Sequence, residues 1–154
     1  MAAPTVAIIL GSKSDEGHLE HTTRLLDRFG VDWELKVLSA HRQSEKLHEY
    51  VRACDSGGTR VFIAAAGLAA ALPGVVSAIT HRPVIGIPVP GGALKGVDAL
   101  LSIVQMPGGI PVATVGVGSN GSRNAAVLAA SILALADDDV SAKLLAYREE
   151  MKNG

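Results

Sequence analysis

A chain of 154 residues is long enough to bury a substantial core, and we expect it to form one domain. Hydrophobic residues make up 48% of the chain but aromatic residues only 3%, so Ala, Val, Ile and Leu must build the core, which favours helices packed on a parallel sheet. The formal net charge of -1, from 14 basic and 15 acidic residues, argues against nucleic acid as a partner.

No segment has the features of a targeting signal or a membrane anchor. The N-terminus lacks a basic region before its apolar run, and stretches such as Val61–Ala71 are too short to span a bilayer. We therefore expect a cytoplasmic protein with no membrane partner. The positive mean hydropathy of +0.31 predicts in addition that apolar surface is buried between subunits.

The hydrophobic pattern predicts strands alternating with helices along the chain. Five apolar runs are predicted strands, of which the first two are expected to be buried: Thr5–Leu10, Trp33–Leu38, Arg60–Ala65, Pro83–Val89 and Val112–Val117. Helices are predicted from Gly11–Asp15 to Gly30, from an N-cap at Ser44 to Gly57, and over Val75–Thr80, Gly96–Gln105, Asn124–Leu135 and Ser141–Met151. This alternation predicts an α/β fold with a central parallel sheet and helices on both faces.

The four residues Ser39–Arg42 lie between the second predicted strand and the helix that follows it. Such a turn falls at the carboxyl edge of a parallel sheet, where ligands bind in α/β proteins. His41 beside Arg42 would place a proton carrier next to an anion-binding guanidinium. Taken alone, however, the pair is explained as well by a solvated loop, so other residues must decide.

The stretch Gly11–Asp15 follows the first predicted strand and offers hydroxyl and backbone N–H groups at a helix N-terminus, which suits a phosphate. It lacks the Gly-Lys-Ser/Thr of a P-loop, and ordinary capping by Ser14 or Asp15 explains it equally well. If the first two strands are neighbours, Arg42 comes near the Ser12 hydroxyl at the same sheet edge. Together the two loops predict a phosphate-binding site.

Other candidate motifs favour structural explanations. Gly116–Gly121 fits G-x-G-x-x-G, but no further strand follows to carry a ribose-binding acid about 20 residues on, so a tight loop is predicted. Cys54 falls in the apolar pattern of its helix and is predicted to be a core residue. We expect His18, His21 and His48 on solvated helix faces rather than in a metal site. His81 is expected at the sheet edge opposite His41.

Several short motifs occur together at a specific spacing: Gly11–Asp15, Ser39–Arg42, Ala66–Ala70, Leu72–Gly74, Leu94–Asp98, and Ser102–Pro107 with Gly109–Val112. In this order they resemble the N5-carboxyaminoimidazole ribonucleotide mutase family of purine biosynthesis, over most of the chain. The resemblance implies a flavodoxin-like three-layer fold and a homo-octamer with sites shared between subunits. It also implies a small-molecule ribonucleotide as substrate and no metal or organic cofactor.

The resemblance assigns roles to individual residues. His41 matches the general acid/base that serves the transfer of a carboxylate from the exocyclic nitrogen to C4 of aminoimidazole ribonucleotide, by way of a trapped CO2. The small residues Gly67–Ala71 are interpreted as the wall of a closed pocket for that CO2. The expected substrate-binding residues are Ser12, Asp15, Ser39, Arg42, Gly67 and Ala71.

Ala71 departs from the family, which usually has histidine at this position. The departure leaves two alternatives beside a mutase with reduced activity. One is a direct carboxylase that adds CO2 to aminoimidazole ribonucleotide, although such enzymes tend to have lysine where this chain has Arg42. The other is a non-catalytic subunit of the same fold that binds a ribonucleotide or serves assembly.

Overall fold

The computed structural model describes residues 3–154 of the protein. The strands are β1 (Val6–Leu10), β2 (Trp33–Val37), β3 (Val61–Ala66), β4 (Val84–Pro88) and β5 (Ala113–Thr114). The helices are α1 (Glu20–Phe29), α2 (Ser44–Gly57), α3 (Leu72–Ile79), α4 (Val97–Val104), α5 (Ser119–Leu133) and α6 (Asp138–Asn153), and a 3-10 helix (Lys13–Leu19) precedes α1.

The strands form one parallel sheet in the order β2-β1-β3-β4-β5. In the register of β1, Val6 is opposite both Trp33 of β2 and Val61 of β3. Because strand order reverses at β1, β2 and β3 lie on either side of it, which is the flavodoxin-like arrangement. The predicted fold class is therefore confirmed.

Helices cover both faces of the sheet, because alternate residues of its central strands point to opposite sides. Val6, Ile8 and Leu10 of β1 join a core cluster with α1, α5 and α6, whereas Ala7 and Ile9 join a second cluster with α2, α3 and α4. Cys54 is 4% exposed within the second cluster, as predicted for a small core residue.

The prediction that the second strand is buried is wrong. β2 forms the edge of the sheet and pairs only with β1, so its first three residues are half-buried and Lys36 and Val37 are exposed. The charged residues Glu34 and Lys36, which form a 2.9 Å ion pair, were the available signal of an edge strand.

The ends of several elements also differ from prediction. Ser44 is the first residue of α2 rather than its N-cap, which is Gln43. The fifth strand has two residues instead of the predicted six, because regular pairing with β4 stops at Thr114. Helix α3 starts before the predicted Val75 because Pro73 is tolerated in a first helical turn. Within residues 3–154, no helix combines the length and apolar content needed to cross a membrane.

Candidate functional site

A cleft of about 640 Å³ opens at the carboxyl edge of the sheet. The loops that follow β1, β2, β3 and β4 supply its walls, because the carboxyl ends of parallel strands meet at one edge. Every residue expected in the site lies on these walls: Ser12, Asp15, Ser39, His41, Arg42, Gly67 and Ala71.

The first wall is a chain of polar side chains at the start of the 3-10 helix. Ser12 caps this helix by accepting a hydrogen bond from the Ser14 N–H at 3.4 Å. Its hydroxyl also lies 2.9 Å from the Ser14 hydroxyl, which donates to the Asp15 carboxylate at 3.1 Å. Ser12, rather than Ser14 or Asp15, is thus the capping residue, and the loop offers hydroxyls, a carboxylate and backbone N–H groups to a ligand.

The second wall is the Ser39–Arg42 turn, whose first residue is nearly buried and whose last two are exposed. Ser39 is 9% exposed, and its hydroxyl accepts from the Arg42 N–H at 3.3 Å. His41 and Arg42 are exposed and line the cleft. Within residues 3–154 Arg42 takes part in no ion pair, so its guanidinium is available to an anionic ligand.

The third wall consists of Gly67–Ala71, between β3 and α3. A Cβ atom on Gly67 would lie 3.2 Å from the carbonyl oxygen of Val89, a tight contact, so glycine favours the close approach of the loops after β3 and β4. Ala71 is the N-cap residue of α3 and provides no side-chain hydrogen bond there. The wall is therefore apolar and small, as predicted from its composition.

The cleft also contains residues beyond the predicted loops, and one residue of the predicted wall has an unexpected backbone conformation. Val89–Gly92 follow β4 and complete the cleft, and the rule that ligands bind at the carboxyl edge would have indicated them. Ser14 lies in the Gly11–Asp15 loop predicted to suit a phosphate and also lines the cleft. Leu68 has a φ of 52° and is 57% exposed, and no sequence signal indicates that a leucine adopts the left-handed region.

The other candidate motifs lie outside the cleft. His81 lines a separate cavity with residues that precede β4 and β5, at the opposite edge of the sheet, as predicted. A Cβ atom on Gly121 would overlap the Gly116 carbonyl oxygen, so a tight loop enters α5 as predicted, although residues 119–121 already belong to the helix. Across residues 3–154, no cluster of three or more His, Cys, Asp or Glu side chains could hold a metal ion.

The titratable groups with shifted pKa values do not line the cleft but lie on β2 and α2. The phenol of Tyr50 donates to the Glu34 carboxylate at 2.9 Å. Burial raises the pKa of the Tyr50 phenol and that of the Cys54 thiol, so both groups stay protonated at neutral pH. The hydrogen bond from Lys36 lowers the pKa of the Glu34 carboxyl.

The sequence model of the family described as AIR carboxylase matches residues 5–154. The chain belongs to the AIR carboxylase family. Relatives in this family include the N5-carboxyaminoimidazole ribonucleotide mutase of Pyrococcus abyssi, 53% identical over 97% of this chain and 84% of its own length. The mutase of the same name from Bacillus subtilis is 50% identical over 97% of this chain and 92% of its own length.

A solved structure of a similar protein has the same fold. The crystal structure of Treponema denticola PurE superimposes with a TM-score of 0.88 at 31% sequence identity, covering 96% of this chain and 91% of that chain. The chain thus matches family members over nearly their whole length, which includes all the loops that form the cleft.

Proposed function

We propose that the protein is an N5-carboxyaminoimidazole ribonucleotide mutase, an isomerase of purine biosynthesis. The observation that carries the proposal is the single cleft in which a histidine, an unpaired arginine, a hydroxyl-rich loop and a small apolar wall meet. Membership of the AIR carboxylase family and the names of relatives about 50% identical support the same reaction.

In this proposal the first two walls hold the ribonucleotide. The Arg42 guanidinium and the hydroxyls of Ser12 and Ser39 bind the phosphate, for which an unpaired arginine at a helix N-terminus is well suited. The Asp15 carboxylate accepts hydrogen bonds from ribose hydroxyls. Gly67 and Ala71 pack against the aminoimidazole and keep the released CO2 beside its C4 atom.

His41 carries the proton in both half-reactions. As the bond between the exocyclic nitrogen and the carboxylate breaks, protonated His41 donates to that nitrogen, giving aminoimidazole ribonucleotide and CO2. Ring carbon C4 then attacks the CO2 carbon, and neutral His41 removes the C4 proton. An imidazole serves both steps because it gains and loses protons near neutral pH.

The test is a turnover assay on the chain, on His41→Asn and on His81→Asn as a matched control at the other sheet edge. His41→Asn should lower kcat by roughly 10²–10⁴-fold while the ribonucleotide still binds, because general acid/base catalysis supplies about that factor. His81→Asn should match the unmodified chain. Equal turnover of His41→Asn and the unmodified chain would refute the role of His41.

A choice of substrates separates the mutase from its two alternatives. A mutase consumes the carboxyamino compound, whereas a direct carboxylase consumes aminoimidazole ribonucleotide with bicarbonate. A non-catalytic subunit binds the ribonucleotide tightly and consumes neither, and Ala71→His would not restore turnover. The relatives' names and the retained Arg42 favour the mutase.

We also propose that the protein is cytoplasmic. We further propose that it assembles into a homo-octamer, as the family resemblance implies. Three apolar residues one helical turn apart on α4 are about half exposed, namely Val97, Leu101 and Val104, at 55%, 53% and 48%. Such a stripe is typical of a subunit interface.

Leu101→Asp should lower the mass in solution, whereas Leu135→Asp, at an 87% exposed site outside the stripe, should not. A monomer mass for the unmodified chain would refute the octamer.

A further inference from the structure

Gln43 directs its side chain backward into the Ser39–Arg42 turn. Its Oε1 atom accepts a hydrogen bond from the Ser39 N–H at 3.1 Å, and its own N–H donates to the Ser39 carbonyl at 2.9 Å. With the 3.3 Å bond from the Arg42 N–H to the Ser39 hydroxyl, three hydrogen bonds close the segment that carries His41 and Arg42.

This orientation departs from what the position usually requires. Gln43 is the N-cap residue of α2, where a side chain normally accepts from the helix's first N–H groups, yet no such bond forms. Serine, a preferred capping residue, lies one position later as Ser44. The helix thus begins without a side-chain cap, and the amide that occupies the cap position holds the turn instead.

Gln43 also connects the turn to the core. Its carbonyl oxygen accepts the first backbone hydrogen bond of α2, from the Leu47 N–H at 3.0 Å. Leu47 is fully buried in the cluster that α2 shares with α3 and α4. The turn follows the edge strand β2, so these local bonds supply the restraint that a second neighbouring strand would otherwise give.

We propose that Gln43 is a positioning residue that orients His41 and Arg42 toward the substrate, an inference that rests on the proposed function. Its Oε1 atom fixes the start of the turn, and its backbone fixes the end. Since a displacement of about 1 Å in a catalytic group can cost 10²-fold in rate, loss of this bond should appear in catalysis before it appears in folding.

Three substitutions separate positioning from a merely structural role. Gln43→Met keeps the side-chain length but removes the acceptor, and Gln43→Ser offers a better helix cap but cannot reach back to Ser39. Both should lower kcat/KM by roughly 10–100-fold, while Gln43→Ser keeps or raises the Tm. Gln43→Glu retains an acceptor oxygen and should keep most of the kcat/KM of the unmodified chain.

Hydrogen exchange at the Ser39 amide tests the bond independently of turnover. Protection should be lost in Gln43→Met and Gln43→Ser and kept in Gln43→Glu. Unchanged kcat/KM in the first two variants, or unchanged Ser39 protection, would overturn the inference. If the unmodified chain consumes none of the offered substrates, the proposed function fails instead, and the exchange measurement alone decides whether Gln43 restrains the turn.

Discussion

Replacing Ala71 by histidine tests what the unusual residue of the third wall does. Ala71 lies on the cleft wall at the N-cap of α3, with φ of -72° and ψ of -22°, a backbone conformation that histidine adopts without strain. Its methyl group can form no hydrogen bond. The substitution therefore adds one polar group to an apolar wall and leaves the other walls unchanged.

The position in the fold sets the expected size of the effect. The N-terminus of a helix carries partial positive charge, so an imidazole at residue 71 is favoured in its neutral form. A hydrogen bond from a neutral imidazole to the migrating carboxylate is charge-assisted and worth roughly 1.5–3 kcal/mol. If that contact strengthens in the transition state, Ala71→His should raise kcat/KM about ten- to a hundredfold.

Initial rates with the carboxyamino compound measure the effect, with Ala71→Leu as a control that adds bulk without a hydrogen-bonding group. Ala71→Leu should bring no gain. If Ala71→His folds, binds the ribonucleotide and still turns over at the rate of the unmodified chain, no contact from residue 71 reaches the reacting carboxylate, and the predicted gain is refuted.

Three further predictions concern the fold. Because the unfolded chain loses the Tyr50 proton near pH 10.0 while the folded chain keeps it, the free energy of unfolding should fall above that pH by up to about 1.4 kcal/mol per pH unit relative to Tyr50→Phe, as denaturant titrations would show. The Cys54 thiol should resist thiol reagents until the chain unfolds, and rapid labelling of the folded protein would contradict its burial. Gly121→Ala should cost roughly 1–3 kcal/mol of stability by denaturant unfolding, whereas Gly17→Ala, with no atom within 4 Å of the added Cβ, should cost far less.

The fold was predictable because hydrophobic runs and helix stops are local signals. The apolar run of β1 and the glycine after α1, which has a φ of 69°, can be recognised without any tertiary contact. The partial exposure of β2 could not be predicted from its apolar residues alone. Exposure at a sheet edge depends on which strands are neighbours. The start of α2 differs from the prediction because serine at position 44 has the higher capping preference.

The candidate site was predictable as a set of residues but not as a set of contacts. Since all strands are parallel, the loops after β1, β2 and β3 had to meet, which brought Ser12, His41 and Gly67 to one cleft. The direction of the Gln43 side chain and the positive φ of Leu68 depend on tertiary packing, and no local pattern indicates either.

The walls of the cleft differ in how the fold supports them, and this difference determines where substitutions should be felt. Gly67 follows β3, which is buried between two strands. A Cβ atom on Gly67 would lie only 3.2 Å from the carbonyl oxygen of Val89. A side chain there would press against the backbone that follows β4, so its effect should include a loss of stability. The turn after β2 has a strand on one side only and is held by its own hydrogen bonds. Changes there can displace His41 while the core stays intact, so their effect should appear first in turnover.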